Sequence, residues 1–113
     1  MSENTLNIIH VKKDNEDVFV LQGHMTILTC EKLQYQIDEV ISEGSRSIIF
    51  NLLEIAEHGI DSFGIAVIVK TKCDLDKKKG QMKVIVNDDI LQLLQKCHLD
   101  EYITVELNKE DDL

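Results

Sequence analysis

Short runs rich in valine, isoleucine, leucine and phenylalanine alternate along this chain with longer stretches whose apolar residues recur every three or four positions. That alternation restricts the fold more than any other feature, because the two periods belong to strands and helices. Leu6-Asn7-Ile8-Ile9-His10-Val11 has strand character and ends in the polar turn Lys12 to Glu16. Val18-Phe19-Val20-Leu21 is apolar at every position, the pattern of a strand buried on both faces. The short polar turn between them predicts an antiparallel hairpin. Leu33, Ile37, Val40 and Ile41 share one helical stripe, with Thr29 placed as N-cap and Gly44 as the stop. Ser47 to Leu52 is then a second doubly buried strand, and a strand-helix-strand unit predicts a parallel pair joined by a crossover.

Ile65-Ala66-Val67-Ile68-Val69 suits a buried strand by propensity, yet Ile65, Ile68, Val69 and Cys73 also fall on one helical face. A single helix from about Ser62 to Lys79, closed by Gly80, needs one element where the strand needs two, and is favoured. Met82 to Val86 predicts a third buried strand. Asp88 or Asp89 caps a helix with Ile90, Leu91, Leu94 and Cys97 facing inward, and Tyr102 to Val105 forms a short last strand. The order β-β-α-β-α-β-α-β is that of an α/β domain with a mixed sheet and packed helices.

The chain has 113 residues, no proline and no Gly/Ser-rich stretch, so residues 1–113 are expected to form one domain. Its core covers about 6–107, with an acidic tail at 108–113. Twelve Lys and Arg against 21 Asp and Glu give a formal charge of −9. Like charge argues against direct nucleic-acid binding and against an anionic membrane as main partner. The basic cluster Lys77-Lys78-Lys79 is expected to be a solvated helix end. No apolar run reaches the roughly 18–20 residues of a membrane-spanning helix, so no membrane insertion is expected. The N-terminus lacks a signal-peptide profile, which predicts a cytoplasmic protein. Cys30, Cys73 and Cys97 show neither CxxC spacing nor a disulfide framework and are expected to be buried thiols.

The segment Ala56 to Gly64 is the candidate site, a loop running from the C-terminal end of a strand into the start of a helix, where ligands of α/β sheets gather. Asp61 and Ser62 stand where an N-cap belongs. A phosphate on Ser62 would be expected to meet unpaired backbone N–H groups and the positive end of the helix dipole, and would add nearly two negative charges beside Asp61. The plain alternative is that either residue only caps the helix.

Asp61-Ser62-Phe63-Gly64-Ile65 resembles the Asp-Ser-[Ser/Thr]-Gly-Leu signature of STAS domains, the family of bacterial anti-sigma factor antagonists. Ile48-Ile49-Phe50-Asn51-Leu52 is similar to the strand that precedes that loop, and the element order matches from about Leu6 to Leu107. The resemblance implies an anti-sigma factor antagonist, a regulator of transcription that binds an anti-sigma factor with serine-kinase activity. It implies that this partner phosphorylates Ser62 and that phosphorylation breaks the complex. Asp61 and Gly64 occupy the matching motif positions beside it. Thr26, Ile60, Asp61, Ser62, Phe63, Gly64 and Ile65 are accordingly the expected partner-binding residues. The chain departs from the family at several places. Thr26, in Gly23-His24-Met25-Thr26, stands where a Gly-Glu-[Leu/Ile]-Asp stretch has its aspartate. Phe63 replaces a small hydroxyl residue, Ala66 replaces a common glycine, and the loop from Asn51 to Asp61 is about two residues longer than usual.

Other chemistry finds less support. His24, His58 and His98, with Cys97 adjacent to the last, lack the spacing of a metal site. No Gly-rich phosphate loop and no spaced Ser/His/Asp set is present, so neither a cofactor nor an enzyme is expected. Two alternatives stay open. One is a STAS scaffold or accessory subunit of a signalling or transport complex without a phospho-switch. The other is a histidine phosphocarrier using His58. The sequence leaves oligomeric state undecided.

Overall fold

The computed structural model describes residues 5–108, in the order β1 (Leu6–Lys13), β2 (Glu16–Met25), α1 (Cys30–Ser42), β3 (Ser47–Ile60), α2 (Ser62–Lys77), β4 (Gln81–Val86), α3 (Asp88–Lys96) and β5 (Thr104–Leu107). The expected α/β class and element order are those observed. The first two strands form the predicted hairpin, closed by Asp14 and Asn15 at φ 52° and 70°. Both residues are in the left-handed region, whose twist matches the flanking strands. The strands lie in the order β1-β2-β3-β4-β5, with β1 antiparallel to β2 and every later neighbour parallel.

Because each crossover steps in the same direction, right-handed connections place α1, α2 and α3 on one face of the sheet. Burial agrees. Phe19 and Leu21 of β2, Ile48, Phe50 and Leu52 of β3, and Met82, Val84 and Val86 of β4 meet Leu33, Ile37, Ile68, Leu75, Ile90 and Leu94 of the helices in one core. The alternate residues Val18, Val20, Ile49 and Ile85 keep partial exposure. The strands expected to be buried on both faces are therefore buried on one.

Several local expectations are corrected. Thr29 sits at the N-cap of α1 without capping it; its hydroxyl donates instead to the His24 carbonyl at 2.7 Å and accepts from the Thr26 N–H at 3.0 Å. Asn87, not Asp88 or Asp89, caps α3, accepting from the Ile90 N–H at 3.0 Å through Oδ1. An Asn outranks nothing by charge but has the reach and the extended backbone that the cap needs. Cys97 is exposed at the C-cap rather than facing inward, because α3 has already ended at Lys96. Of the three thiols only Cys30 is buried. The last strand starts two residues late, since Tyr102 and Ile103 are held in a turn by their N–H bonds to the Leu99 carbonyl. The helix favoured over Ile65–Val69 is observed, ending at Lys77 with Lys77, Lys78 and Lys79 exposed. Of the expected tail, Asn108 donates to the Val86 carbonyl at 2.9 Å, and 109–113 lie outside the described residues.

At the hairpin end of the sheet a carboxylate is buried. Asp17 accepts from Ser45 Oγ at 2.6 Å, from His10 Nε2 at 2.7 Å and from Lys12 Nζ at 3.5 Å, while the His10 ring stacks on Phe19. Burial pushes the Asp17 carboxyl up, but the bonds from Ser45 and His10 and the Lys12 charge outweigh it, and the group is held below the ordinary aspartate range.

Candidate functional site

The C-terminal ends of β2 and β3 and the start of α2 meet at one edge of the sheet. The segment Ala56 to Ile60, expected as loop, belongs to β3. From Val20 to Met25 β2 advances five residues, whereas β3 advances nine from its partner Asn51 to Ile60. Four residues of β3 are therefore extra, one between Asn51 and Glu54 and three between Ile55 and Ile60, and the second group forms an outward fold with His58 at φ 57°. Gly59 allows this fold, because a Cβ there would stand 2.6 Å from the Ala56 carbonyl oxygen.

Asp61 joins the pieces. Its Oδ1 accepts from the N–H groups of Phe63 at 2.9 Å and Gly64 at 3.1 Å, capping α2. Its Oδ2 accepts from the Ile27 N–H at 3.1 Å, and its own N–H donates to the Met25 carbonyl at 3.1 Å. The carboxylate thus binds the turn after β2 to the first turn of α2. That turn is itself closed by Thr26, whose Oγ1 accepts from the Leu28 N–H at 3.2 Å. Gly64 lets the two approach, since a Cβ there would lie 2.5 Å from the Met25 carbonyl oxygen and 2.9 Å from Met25 Cβ. Beneath them, burial and then the Asp61 charge push the Cys30 thiol above its ordinary value, against the hydrogen bond from Thr29.

Ser62 is the exposed first residue of α2, outside the cap bonds. The N–H groups of Phe63 and Gly64, expected to be free for a phosphate, are occupied by Asp61. A phosphoryl group on Ser62 would face solvent beside a carboxylate rather than enter a vacant cradle. Phe63 is 50% exposed and points to the surface, not the core. Ile60 and Ile65 are half-buried and pack on the core, and Gly64 is buried. Thr26, Asp61, Ser62 and Phe63 are therefore brought together at the surface, while Ile60, Gly64 and Ile65 lie behind them. Sequence reasoning missed Ile27 and Leu28, 58% and 72% exposed in the turn tied to Asp61. Their only signal is an apolar pair flanked by threonines and belonging to neither periodic pattern.

No histidine side chain among the described residues is hydrogen-bonded to this cluster. His58 is exposed near Glu57, 3.6 Å away, at the rim of a groove of about 440 Å³ between β3 and α3. His98 is exposed past α3, and the His24 Nδ1 is buried without a hydrogen-bond partner. No group of three or more His, Cys, Asp or Glu side chains among the described residues is arranged to hold a metal ion. No helix among them is long and apolar enough to cross a membrane.

The STAS domain family model matches residues 8–111, nearly the whole chain. The chain belongs to the STAS domain family. Solved structures show the same fold. This STAS domain superposes on an anti-sigma factor antagonist from Mycobacterium paratuberculosis with a TM-score of 0.84 at 16% identity, covering 97% of this chain and 92% of the other. A chain from Thermotoga maritima gives 0.82 at 18% identity over 90% and 86%. The Bacillus cell fate determinant SpoIIAA in its phosphorylated form gives 0.71 at 16% identity over 95% and 94%. No curated protein matches this STAS domain closely enough to count as a relative. The Asp61–Ser62 pair and the surface around it thus sit in a STAS fold whose structural neighbours include anti-sigma factor antagonists.

Proposed function

We propose that this STAS domain is a cytoplasmic anti-sigma factor antagonist that acts by binding rather than catalysis, and that Ser62 is its phosphorylation site. The reading is carried by one observation: an exposed serine, adjacent to a capping aspartate, stands among the exposed apolar side chains Ile27, Leu28 and Phe63. Its partner is an anti-sigma factor that is also a serine kinase. The unmodified surface docks by burying the three apolar side chains. The kinase then moves the γ-phosphoryl group of ATP onto Ser62 Oγ; the O–H proton leaves to a base and ADP departs. The product adds nearly two negative charges next to Asp61, whose carboxylate already holds the nearby N–H donors. The new charge stays at the interface, and burying it uncompensated separates the partners.

Baits carrying Ser62→Ala and Ser62→Asp, used in pull-downs from native cell extract, test this. The Ala bait retains a kinase-like anti-sigma factor and the Asp bait loses it, while thermal unfolding of the two differs little. Acid-stable phosphate on Ser62 supports the site; acid-labile phosphate on His58 replaces it with the phosphocarrier. The occupied cap and the bulky Phe63 favour one second reading, a scaffold without a switch. Identical partners on both baits establish that scaffold and remove Ser62 from the mechanism.

A further inference from the structure

The face of the sheet opposite the helices carries an apolar block. Ile9 stands opposite Val20 and Val11 opposite Val18 across β1 and β2; Val18 adjoins Ile49 on β3, and Asn51 separates Val20 from Ile85 on β4. Ile9 and Val11 are 41% and 46% exposed, and the other four side chains are partly so. Sheets of parallel strands are ordinarily covered on both faces, because crossover helices fall on each. Here all three helices fall on one. A polar rim borders the block. Asn7 Nδ2 donates to Gln22 Oε1 at 2.6 Å, and Gln22 Nε2 donates to Glu54 Oε1 at 2.7 Å. Lys83 and Glu106 pair at 3.0 Å on the β5 side, and Lys13, Glu16 and Ser47 lie toward the hairpin end. The block runs to the β1 edge and is bordered by polar residues on its other three sides, close to the apolar-centre, polar-margin anatomy of a protein interface.

Charge selects the occupant. The rim holds two lysines, Lys13 and Lys83, against three glutamates, Glu16, Glu54 and Glu106, so the face carries −1 of a chain charge of −9. Most of the other described carboxylates lie elsewhere, as in Glu31, Asp38, Glu39 and Glu43 around α1. A basic partner is drawn to that acidic surface and away from this face. A second copy of the same acidic chain is repelled there and meets least repulsion here. We infer that the open face pairs with the same face of a second copy across a twofold axis, sheet on sheet. Five strands about 4.8 Å apart and some six residues long present roughly 500 Å² in plan. That lies toward the small end of specific interfaces, so the dimer is reversible. Ser62, at the start of α2, remains outside the contact, and each dimer displays two such sites.

Sedimentation velocity on the full chain, from micromolar to near-millimolar, reads the association. A monomer–dimer equilibrium is expected, with Val11→Lys weakening it at least tenfold and an equimolar mixture of Val11→Lys and Val11→Glu recovering it. Circular dichroism checks the fold of each variant. Independently of any variant, a dilution series followed by amide NMR is expected to shift Ile9, Val20 and Ile49 while leaving Ser62 unmoved. A chain that stays monomeric throughout, a dimer indifferent to the charge at residue 11, or dilution shifts confined to another surface overturns the inference.

Discussion

Asp61 makes three hydrogen bonds with one carboxylate, two to α2 and one to the turn after β2. Removing it leaves donors at a helix start and detaches the turn. Asp61→Ala is expected to cost about 1–2 kcal/mol of stability in urea unfolding. Asp61→Asn keeps one acceptor oxygen and is expected to cost less; equal losses in the two variants would mean that the second carboxylate oxygen or its charge, rather than one capping acceptor, carries the effect. Gly64 is tested in the opposite sense, by adding an atom. Gly64→Ala must push the Met25 backbone aside and is expected to lose about 1–3 kcal/mol. Asp17 gives a pH dependence. Its carboxyl is held below the ordinary range in the folded chain, so its stabilisation is complete above the unfolded pKa of about 4 and is lost as pH falls through the lower folded value. Ser45→Ala removes one lowering bond, so the acid-unfolding midpoint should move to higher pH; an unmoved midpoint would separate Asp17 from acid stability.

At the scale of elements, what could be seen in the sequence depended on whether one residue type decided the matter. The helix over Ser62–Lys77 was legible because its apolar stripe and its Asp61 cap agreed over sixteen residues. The full length of β3 was hidden, since Glu54, Glu57, His58 and Gly59 break any alternation and the strand continues by folding outward beside β2. The Asp61–Ser62 pair was legible as a motif, and so was its position at a strand's end. The surface beside it was not, because Ile27 and Leu28 are brought there by a hydrogen bond from residue 27 to residue 61, a contact across 34 positions that no local pattern carries. Exposed leucine and isoleucine are also common on ordinary surfaces, so composition cannot mark them. Asn87 shows the same sensitivity on a smaller scale, and Asn87→Ala should cost about 1 kcal/mol in thermal or urea unfolding if it is the cap of α3.

For the molecule as a whole, the charge of −9 and the one-sided packing of the helices are the two governing facts. Excess negative charge repels itself in the compact state, and dissolved ions screen it within about 10 Å at 0.1 M salt. The melting temperature is therefore expected to rise by a few degrees between very low salt and physiological salt; a fall would show that specific ion pairs such as Lys70–Asp74, at 2.8 Å, outweigh the general repulsion. The strand order has a further consequence, in time rather than in space. Since β1 to β5 lie side by side in the order in which they occur in the chain, each new strand finds its neighbour already made. During synthesis the sheet can extend from the hairpin outward, with every helix closing over the strands just laid down. The β1–β2 hairpin closes a short loop and forms early, whereas each parallel pairing must first close a crossover, which slows its formation. The fifth strand, β5, has only four residues and completes one edge beside β4.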